Sequence, residues 1–391
     1  MSTCHDVAIV GGGIQGAGVA QAAAAAGYRA VLLERAAVGT ATSSKSSKLI
    51  HGGLRYLESG QFALVHQSLR ERAVLLRIAP ELVQLVPFYI PVYRHTTRRP
   101  WQVRAGLSLY ALLGGLASAN RFCTIAPSHW DEADGLLRES LQVVYRYMDG
   151  QTDDAALTRA VMYSATQLGA ELACPANFVD ASYADGLFTV RYDFDGQMQE
   201  LCSRTLVNAA GAWVSEVGAR IRPAVEQPAF DLVQGTHIVL DRAAPHGIYY
   251  VEAPQDPRAV FIMPWQGRTM VGTTETVFNG DPAAVSPMPG EIDYLLEVWR
   301  HYFPGCDAEV VDSFAGLRVL PRGGAVFHRA RDTVVRQTSQ LPALVSLYGG
   351  KLTGYRATAQ KVMQVLSRQL PVRAPVADTA RLILRAAVDT L

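Results

Sequence analysis

The stretch Val7-Ala8-Ile9-Val10-Gly11-Gly12-Gly13-Ile14-Gln15-Gly16-Ala17-Gly18 determines how the first part of the chain folds. Its short apolar run predicts a buried strand, and the alanine-rich residues 17–26 predict a helix. Gly11, Gly13 and Gly16 have the G-x-G-x-x-G spacing, in which the glycines allow a tight turn and a close approach to a pyrophosphate. Such an anion binds to the unpaired N–H groups at the start of the helix.

A second strand and an acidic residue complete this pattern. After a turn at Gly27, residues 29–33 predict a strand, and Glu34 ends it 18 residues beyond Gly16. A carboxylate at about this distance accepts hydrogen bonds from the ribose hydroxyls of a bound dinucleotide. The glycine spacing alone occurs in many ordinary turns, but the five features together predict an adenine dinucleotide.

Length and composition limit the class of protein. A chain of 391 residues suits two domains or one large composite fold, and a net charge of +1 gives no reason to propose nucleic acid as a partner. No apolar run reaches the roughly 18 residues of a membrane span, and the first strand begins too early for a leader, so we expect a cytoplasmic protein. The cysteines show no metal spacing, so we expect all of them to be reduced, without a disulfide or a metal site: Cys4, Cys123, Cys174, Cys202 and Cys306.

The remaining sequence alternates helix and strand patterns. Residues 232–274 suit an antiparallel sheet, whereas the strand-glycine-helix pattern of the opening returns at Gly211 and again at Gly349. Helices are predicted over residues 61–78, 153–168 and 289–302, and strands over residues 85–94, 141–148, 187–193, 199–202 and 310–320.

The loop Ala41-Thr42-Ser43-Ser44-Lys45-Ser46-Ser47-Lys48-Leu49-Ile50-His51-Gly52-Gly53-Leu54-Arg55-Tyr56-Leu57 is the most specific motif. Its composition suits either a flexible loop or a set of donors that wraps a phosphate and a ring system. The order of its residues resembles the flavin-binding segment of FAD-dependent glycerol-3-phosphate dehydrogenases, members of the D-amino-acid-oxidase-like flavoprotein superfamily. Further stretches match the same family, namely Val207-Asn208-Ala209-Ala210-Gly211-Ala212-Trp213, Gly235-x-His237, Gly272-Thr273-Thr274, Gly316-x-Arg318 and Gly349-Gly350-Lys351-Leu352-Thr353.

This resemblance implies an α/β fold of two domains. A Rossmann-like FAD-binding domain, with a mostly parallel sheet, helices and a β-meander, would comprise residues 1–84, 149–224 and 316–370. A substrate domain built on an antiparallel sheet would comprise residues 85–148 and 225–315, and residues 371–391 would form a C-terminal tail. The chain departs from the family at Val319 and Gly354, and we expect it to lack the family's further helical C-terminal domain.

The resemblance also implies a reaction and a set of site residues. The family oxidises sn-glycerol 3-phosphate to dihydroxyacetone phosphate by hydride transfer to flavin N5, and the electrons pass to quinone. Position by position, the catalytic residues would be His51, His237, Arg318 and Lys351, and the substrate-binding residues would be Arg55, Tyr56 and Thr274. The cofactor-binding residues would be Gly11, Gly13, Ile14, Gly16, Glu34, Arg35, Thr42, Ser43, Ser44, Lys48, Leu49, Gly211, Trp213, Gly349, Gly350, Lys351, Leu352 and Thr353.

The proposed chemistry requires these residue types. An alcohol releases hydride only as its oxygen loses a proton, so a neutral imidazole, either His51 or His237, is a suitable base. Arginine offers a planar pair of donors to a phosphate, which suits Arg55 and Arg318. The glycine pair before Lys351 predicts a second helix N-terminus, where negative charge that develops on a reduced flavin would be stabilised.

Several alternatives stay open at this stage. The enzyme could act on another 2-hydroxy acid or on a secondary amine, or the chain could be a flavin subunit that needs a partner protein. Residues 95–116 combine basic residues, Trp101 and an apolar run, which suits either a buried helix or contact with the inner face of the cytoplasmic membrane. A homodimer is also expected.

Overall fold

The structure, a computed structural model, describes residues 4–132, 134–243, 245–323 and 332–386. The described ranges contain the helices α1 (Ile14–Ala25), α2 (Phe62–Ile78), α3 (Pro100–Leu113), α4 (Asp154–Gln167), α5 (Val214–Ala219), α6 (Pro289–Tyr302) and α7 (Tyr355–Leu366). The strands are β1 (His5–Val10), β2 (Ala30–Leu33), β3 (Leu49–Ile50), β4 (Val83–Tyr93), β5 (Phe122–Ile125), β6 (Leu141–Thr152), β7 (Glu171–Ala173), β8 (Ala176–Ala184), β9 (Leu187–Phe194), β10 (Gln197–Asn208), β11 (Ile221–Arg222), β12 (Phe230–Ala243), β13 (Ile248–Glu252), β14 (Ala259–Trp265), β15 (Arg268–Gly272), β16 (Thr276–Phe278), β17 (Val310–Pro321), β18 (Val334–Gln337) and β19 (Leu344–Tyr348).

The first sheet contains the opening strand. Its order is β11-β8-β9-β10-β1-β2-β7, and β19 pairs with the C-terminal part of β10, while β18 pairs with β19. The pairs β1–β2, β1–β10 and β10–β19 are parallel, whereas β8, β9 and the N-terminal part of β10 form an antiparallel meander. Because the carboxyl ends of β1, β10 and β19 lie side by side, the glycine turns that follow these strands meet at one edge.

Helix α1 is buried on almost its whole surface. Eleven of its twelve residues are buried, and it lies in one apolar cluster with residues of β1, α4 and α7. Small side chains make this close packing feasible, since a Cβ added at Gly18 would lie 2.7 Å from the ring of Tyr355 in α7. The alanine-rich composition therefore follows from burial on several sides rather than from amphipathicity.

The second sheet carries the antiparallel strands. Its order is β16-β12-β15-β14-β13-β4-β6-β3, with β17 also paired to β12 and β5 to β6. Alternate residues of β12 face opposite sides, because Ile238 packs in the cluster that contains α6, and Val239 packs in the cluster that contains α3. The sheet is thus covered on both faces, which explains why its central strands are largely apolar.

Most predicted elements are confirmed within a few residues. The helices predicted over residues 61–78, 153–168 and 289–302 correspond to α2, α4 and α6, and Asp153 caps α4 by accepting a hydrogen bond from the N–H of Ala156. The predicted domain boundary at residue 316 falls within β17, which pairs with β12 along its length, so the domain limits stay a prediction. Part of the predicted tail is described, and there Leu384 is buried in the core.

The prediction that every cysteine is reduced is wrong. Cys4 and Cys202 form a disulfide, with their Cα atoms 4.8 Å apart. The register explains this proximity, since β1 and β10 are parallel neighbours and His5 lies opposite Ser203. A sequence separation of 198 hid the pairing, because only the pairing of the two strands brings the cysteines together. Cys123, Cys174 and Cys306 are free thiols.

The apolar segment after residue 95 forms α3, which is half buried. Val103, Leu107 and Tyr110 lie in the core, whereas the side chains of Trp101 and Leu112 are 70% and 60% exposed. Across the parts of the chain that the structure describes, we find no helix with the length and apolar character to cross a bilayer.

Candidate functional site

Two adjoining cavities lie where the two sheets meet. The first has a volume of about 440 Å³ and the second about 280 Å³. They share wall residues from four separate segments, namely Gly13, Thr42, Ser43, Lys45, Ala209, Gly211, Ala212, Gly316 and Leu317. The two cavities therefore form one elongated site rather than two independent pockets.

The glycine turn after β1 forms the floor of the first cavity. Gly11 has a φ of +108°, and a Cβ added there would lie 2.6 Å from the carbonyl oxygen of Ala209. A Cβ at Gly16 would collide with the carbonyl oxygen of Gly11, so Gly16 is a packing residue that lines neither cavity. Gly13 is the N-cap of α1 and carries no side chain over the helix N-terminus. This cradle suits a pyrophosphate.

Glu34, Arg35 and Trp213 line the first cavity. The Glu34 carboxylate accepts hydrogen bonds from the N–H groups of Gly12 (2.6 Å) and Ala36 (2.9 Å), which fix it at the end of β2. The Arg35 guanidinium lies 3.9 Å from the centre of the Trp213 ring, a cation–π contact between two segments distant in sequence. All three residues line this one cavity, which could hold the adenosine half of a dinucleotide.

The loop after residue 41 divides into residues that line the cavities and residues that support them. Thr42, Ser43 and Leu49 line the site, and the Ser43 hydroxyl accepts a hydrogen bond from the N–H of Ile14 at 2.9 Å. The predicted cofactor residue Ser44 lines neither cavity, because its hydroxyl donates to the carbonyl oxygens of its own turn.

Lys48, which was predicted to bind the cofactor, lies outside both cavities. Its ammonium is buried, lies 2.7 Å from Oδ1 of Asp154 and donates to the carbonyl oxygen of Ser44. A buried ion pair of this kind would cost several kcal/mol to break, so the geometry favours a structural role for Lys48 rather than contact with the cofactor.

Five cationic side chains line the second cavity, and Arg55, Arg318 and Lys351 are three of them, beside Lys45 and Arg258. Arg55 comes from a short 3₁₀ turn before α2, Arg318 from β17, and Lys351 from the glycine-rich turn after β19. The Lys351 ammonium lies 3.8 Å from the centre of the buried Tyr56 ring, which holds the cation by a cation–π contact. The structure thus brings together four of the predicted substrate and catalytic residues.

The surroundings of Arg318 disfavour its positive charge. Burial and the neighbouring positive charge of Arg55 lower the pKa of Arg318 to about 10. Both causes disfavour the protonated guanidinium. An anion placed between the two arginines would therefore stabilise it.

The two predicted histidines occupy different positions. His51 lines the second cavity, and its backbone N–H donates to the hydroxyl of Thr353. Its ring packs edge-on against Phe261, with the ring centres 6.3 Å apart. His237 is buried behind the wall, where its Nε2 is 3.0 Å from Oγ of Ser47 and its ring stacks on Phe314.

The state of His237 follows from its surroundings. Burial is the main cause that lowers the pKa of His237 to about 3, and the charges of Arg318 and Lys48 act in the same direction. The imidazole is therefore neutral at physiological pH, and it reaches the cavity only through Ser47, which lines it.

The predicted substrate residue Thr274 faces away from the second cavity. Its hydroxyl donates to Glu291 at 2.8 Å and accepts from the N–H of Thr236 at 2.9 Å. Its neighbour Thr273 lines the cavity instead, and the Thr273 hydroxyl accepts a hydrogen bond of 3.1 Å from Arg318. Adjacent residues of an extended chain point to opposite sides, so the motif located the segment but not the residue that faces the site.

The turns at residues 211 and 349 also line the site. Gly211, Gly349 and Gly350 have positive φ values of +56°, +71° and +123°, and a Cβ on Gly350 would lie 2.6 Å from the Gln15 side chain. Leu352 and Thr353 continue the wall of the second cavity. The turns after β1, β10 and β19, which were all predicted to contact the dinucleotide, therefore all contribute backbone atoms to the same site.

A buried hydrogen-bond network supports the His51 loop. The Tyr110 hydroxyl on α3 accepts a hydrogen bond from the N–H of Gly52 at 2.8 Å and donates to Asp149 at 2.5 Å. Asp149 also pairs with the buried Arg72. Burial and the Asp149 charge raise the pKa of Tyr110, so its hydroxyl keeps its proton. A Cβ at position 52 would press on Tyr110, and the loop requires glycine there.

Sequence reasoning missed several residues of the second cavity. Glu275 is the main omission, although it directly follows the Gly272-Thr273-Thr274 motif and an acidic residue beside an arginine-rich site is a usable signal. The others had no distinguishing pattern, since they come from strands and turns of the second sheet: Tyr147, Tyr250, Arg258, Ala259 and Phe261.

The residues present fit FAD. The glycine cradle, which added Cβ atoms would fill, suits the pyrophosphate, and the first cavity suits the adenosine half beside Glu34. The second cavity adjoins the cradle and suits the ring system together with a small substrate. Among the described residues, no group of histidine, cysteine or acidic side chains could hold a metal ion.

Comparisons with known proteins agree with this assignment. A model of the DAO family, described as FAD dependent oxidoreductase, matches residues 6–356. A glycerol-3-phosphate dehydrogenase from Pseudomonas aeruginosa is 36% identical over 382 residues, which cover 94% of this chain and 72% of that protein. A D-erythritol 1-phosphate dehydrogenase from Brucella abortus is 34% identical, with 94% and 74% covered.

A solved structure supports the same fold. The glycerol-3-phosphate dehydrogenase from Bacillus halodurans, complexed with FAD, has a TM-score of 0.75 and 25% sequence identity to this chain. The likeness covers 98% of this chain and 68% of that one.

Proposed function

Because the chain belongs to the family of FAD-dependent oxidoreductases, we propose that it oxidises sn-glycerol 3-phosphate to dihydroxyacetone phosphate. The second cavity is the observation that carries this proposal, since Arg55, Arg318, Lys351 and His51 line it together beside the dinucleotide cradle. Bound FAD supplies the acceptor, flavin N5, for the hydride that leaves the substrate carbon. Curated relatives named for this activity support the choice of substrate.

In this proposal Arg55, Arg318 and Lys351 select a phosphate ester as the substrate. A dianionic phosphate placed among Arg55, Arg318 and Lys351 would form charge-assisted hydrogen bonds, which are roughly twice as strong as neutral ones. Arg318 gains most, because an anion offsets the two causes that lower its pKa. The uncharged end of the substrate then lies towards His51.

His51 is the base in this proposal. It lines the second cavity, whereas the imidazole of His237 is enclosed and reaches the cavity only through Ser47. His51 accepts the hydroxyl proton of the substrate as hydride leaves the carbon that bears this hydroxyl. The concerted loss of proton and hydride avoids a charged alkoxide. His237, with a pKa of about 3, is proposed to stay neutral and to orient the Ser47 hydroxyl.

Mixing the FAD-loaded protein anaerobically with sn-glycerol 3-phosphate tests the substrate. The proposal expects the flavin absorbance to bleach and one equivalent of dihydroxyacetone phosphate to form. The second candidate is a four-carbon polyol phosphate, which the 34% identity to a D-erythritol 1-phosphate dehydrogenase favours. Bleaching by D-erythritol 1-phosphate, by a 2-hydroxy acid or by a secondary amine, without bleaching by glycerol 3-phosphate, would overturn the first choice.

We propose that electrons leave to quinone at a membrane surface. The exposed side chains of Trp101 and Leu112 lie on α3, near the exposed basic residues Arg99 and Arg104. Apolar and cationic groups on one surface suit attachment to anionic lipid, where quinone dissolves. The proposal also includes a homodimer.

Vesicle flotation tests the membrane contact. We expect the protein to float with vesicles that contain phosphatidylglycerol and less with vesicles of phosphatidylcholine alone. Replacing Trp101 with serine should reduce flotation, because the indole supplies much of the exposed apolar area. The control Phe62→Ser removes a large side chain that is 46% exposed on another helix and should float like the unmodified protein. Equal flotation of both variants would contradict the assignment of α3.

A further inference from the structure

The second cavity contains one carboxylate among its cations. The Glu275 side chain is 5% exposed, and its Oε1 lies 3.7 Å from Nη1 of Arg55 and 3.6 Å from Nη1 of Arg318. The arginines reach it from different segments, Arg55 from the turn before α2 and Arg318 from β17. One carboxylate oxygen therefore lies within ion-pair distance of both guanidinium groups, which would otherwise repel each other.

The geometry of these contacts is ionic. Separations of 3.6 and 3.7 Å exceed the usual range of an N–H to oxygen hydrogen bond, so attraction to Glu275 does not require the donors to point directly at it. The hydroxyl of Thr273, two residues earlier in the chain, accepts a hydrogen bond from Arg318. The segment 273–275 thus fixes Arg318 by one directional contact and one charge.

We propose that Glu275 is a positioning residue, which holds Arg55 and Arg318 side by side so that both contact one anionic group of the substrate. This inference rests on the proposed function, which assigns the two arginines to the phosphate. Glu275 holds the pair without neutralising both charges, because one carboxylate faces two guanidinium groups.

The same arrangement controls how the site responds to pH. The charged or titratable groups that face Arg318 from neighbouring elements are Arg55, Tyr56, His237, Glu275 and Lys351. Arg55 lowers the pKa of Arg318, and a carboxylate at 3.6 Å acts in the opposite direction. Loss of Glu275 should lower the pKa of Arg318 further, so that anion binding disappears at a lower pH.

Flavin reduction tests the positioning role. FAD-loaded wild type, Glu275→Gln and Asp256→Asn are mixed anaerobically with glycerol 3-phosphate, and the limiting rate and the apparent Kd are measured separately. The control removes a carboxylate that pairs with Arg258, another arginine of the same cavity. We expect E275Q to lower the limiting rate at least about tenfold, because misplacement of the substrate slows hydride transfer more than it weakens binding. D256N should keep the wild-type rate, and an E275Q rate equal to wild type would overturn the proposal.

Sulfate, which stays a dianion, provides a readout that needs no turnover. Its binding is followed by the change in flavin absorbance from about pH 7 to about pH 10, a range that ends near the pKa of Arg318. In wild type the affinity should fall as the pH approaches the pKa of Arg318, about 10. In E275Q the fall should begin about one pH unit lower. We call the pH at which sulfate affinity falls the alkaline limit. An alkaline limit of E275Q equal to that of wild type would overturn the role of Glu275.

The outcomes separate this inference from the proposed function. If glycerol 3-phosphate fails to reduce the wild type, the proposed substrate is wrong, and the sulfate titration still decides whether Glu275 supports the arginine pair. If E275Q does not retain FAD, Glu275→Asp replaces it. E275D keeps the charge on a shorter side chain, so it should retain the wild-type alkaline limit while the limiting rate falls, and a shifted limit would overturn the inference.

Discussion

Replacing His51 with asparagine should slow the reduction of the flavin by glycerol 3-phosphate by about 10²–10⁴-fold, the usual contribution of a general base. His51 lines the second cavity, and its backbone N–H is held by Thr353. Asparagine keeps a polar side chain of similar size but cannot accept the proton, so substrate affinity and FAD content should stay close to wild type. Stopped-flow absorbance under anaerobic conditions measures the rate.

The matched control for this prediction is His237→Asn. Its imidazole stays neutral, because burial and two nearby cations lower its pKa to about 3. It contacts the cavity only through Ser47, so its replacement should slow reduction much less than the change at His51. A larger loss in H237N than in H51N would show that the proton leaves through Ser47 and that the two histidines have the opposite roles.

Arg318→Ala should leave FAD bound and remove most of the activity with glycerol 3-phosphate. The guanidinium donates to Thr273 and pairs with Glu275, and both contacts aim it into the second cavity. Each charge-assisted hydrogen bond to a phosphate contributes about 1.5–3 kcal/mol, so the loss of two should raise the apparent Kd at least about 10²-fold. Bound FAD is quantified by absorbance, and the Kd comes from the concentration dependence of anaerobic reduction.

Two further measurements make this prediction specific. Arg322→Ala removes a largely exposed arginine that pairs with Asp231 and lies near the end of the same strand, and it should behave like wild type. Unphosphorylated glycerol should reduce R318A and wild type at similarly slow rates, because it lacks the group that Arg318 is proposed to bind. Loss of FAD in R318A would instead assign this residue a structural role.

The local motifs predicted the backbone of the site, and long-range packing decided which side chains face it. Gly11, Gly13, Gly211 and Gly349 all line the site, because a turn that requires glycine is encoded by the few residues around it. Lys48 illustrates the limit, since Asp154, more than a hundred residues away, pairs with its ammonium outside the cavity. No local pattern contains that partner.

The residues that follow β15 show the second limit. The motif identified the segment, but an extended chain exposes alternate residues, and Glu291 on α6 binds Thr274 on the far side. Thr273 and Glu275 therefore line the site in its place. The Cys4–Cys202 bond escaped prediction for a related reason, because it depends on the parallel pairing of β1 with β10.

The hydrogen bond from Gly52 to Tyr110 has a practical consequence for anyone who wishes to crystallise or formulate the protein. The outer surface of helix α3 is apolar and basic, and a designer would remove it first to improve solubility. The inner face of the same helix, however, supports the backbone next to His51. Deletion of the helix would therefore damage the active site. Recoding only outward positions, such as Trp101 and Leu112, should retain that support.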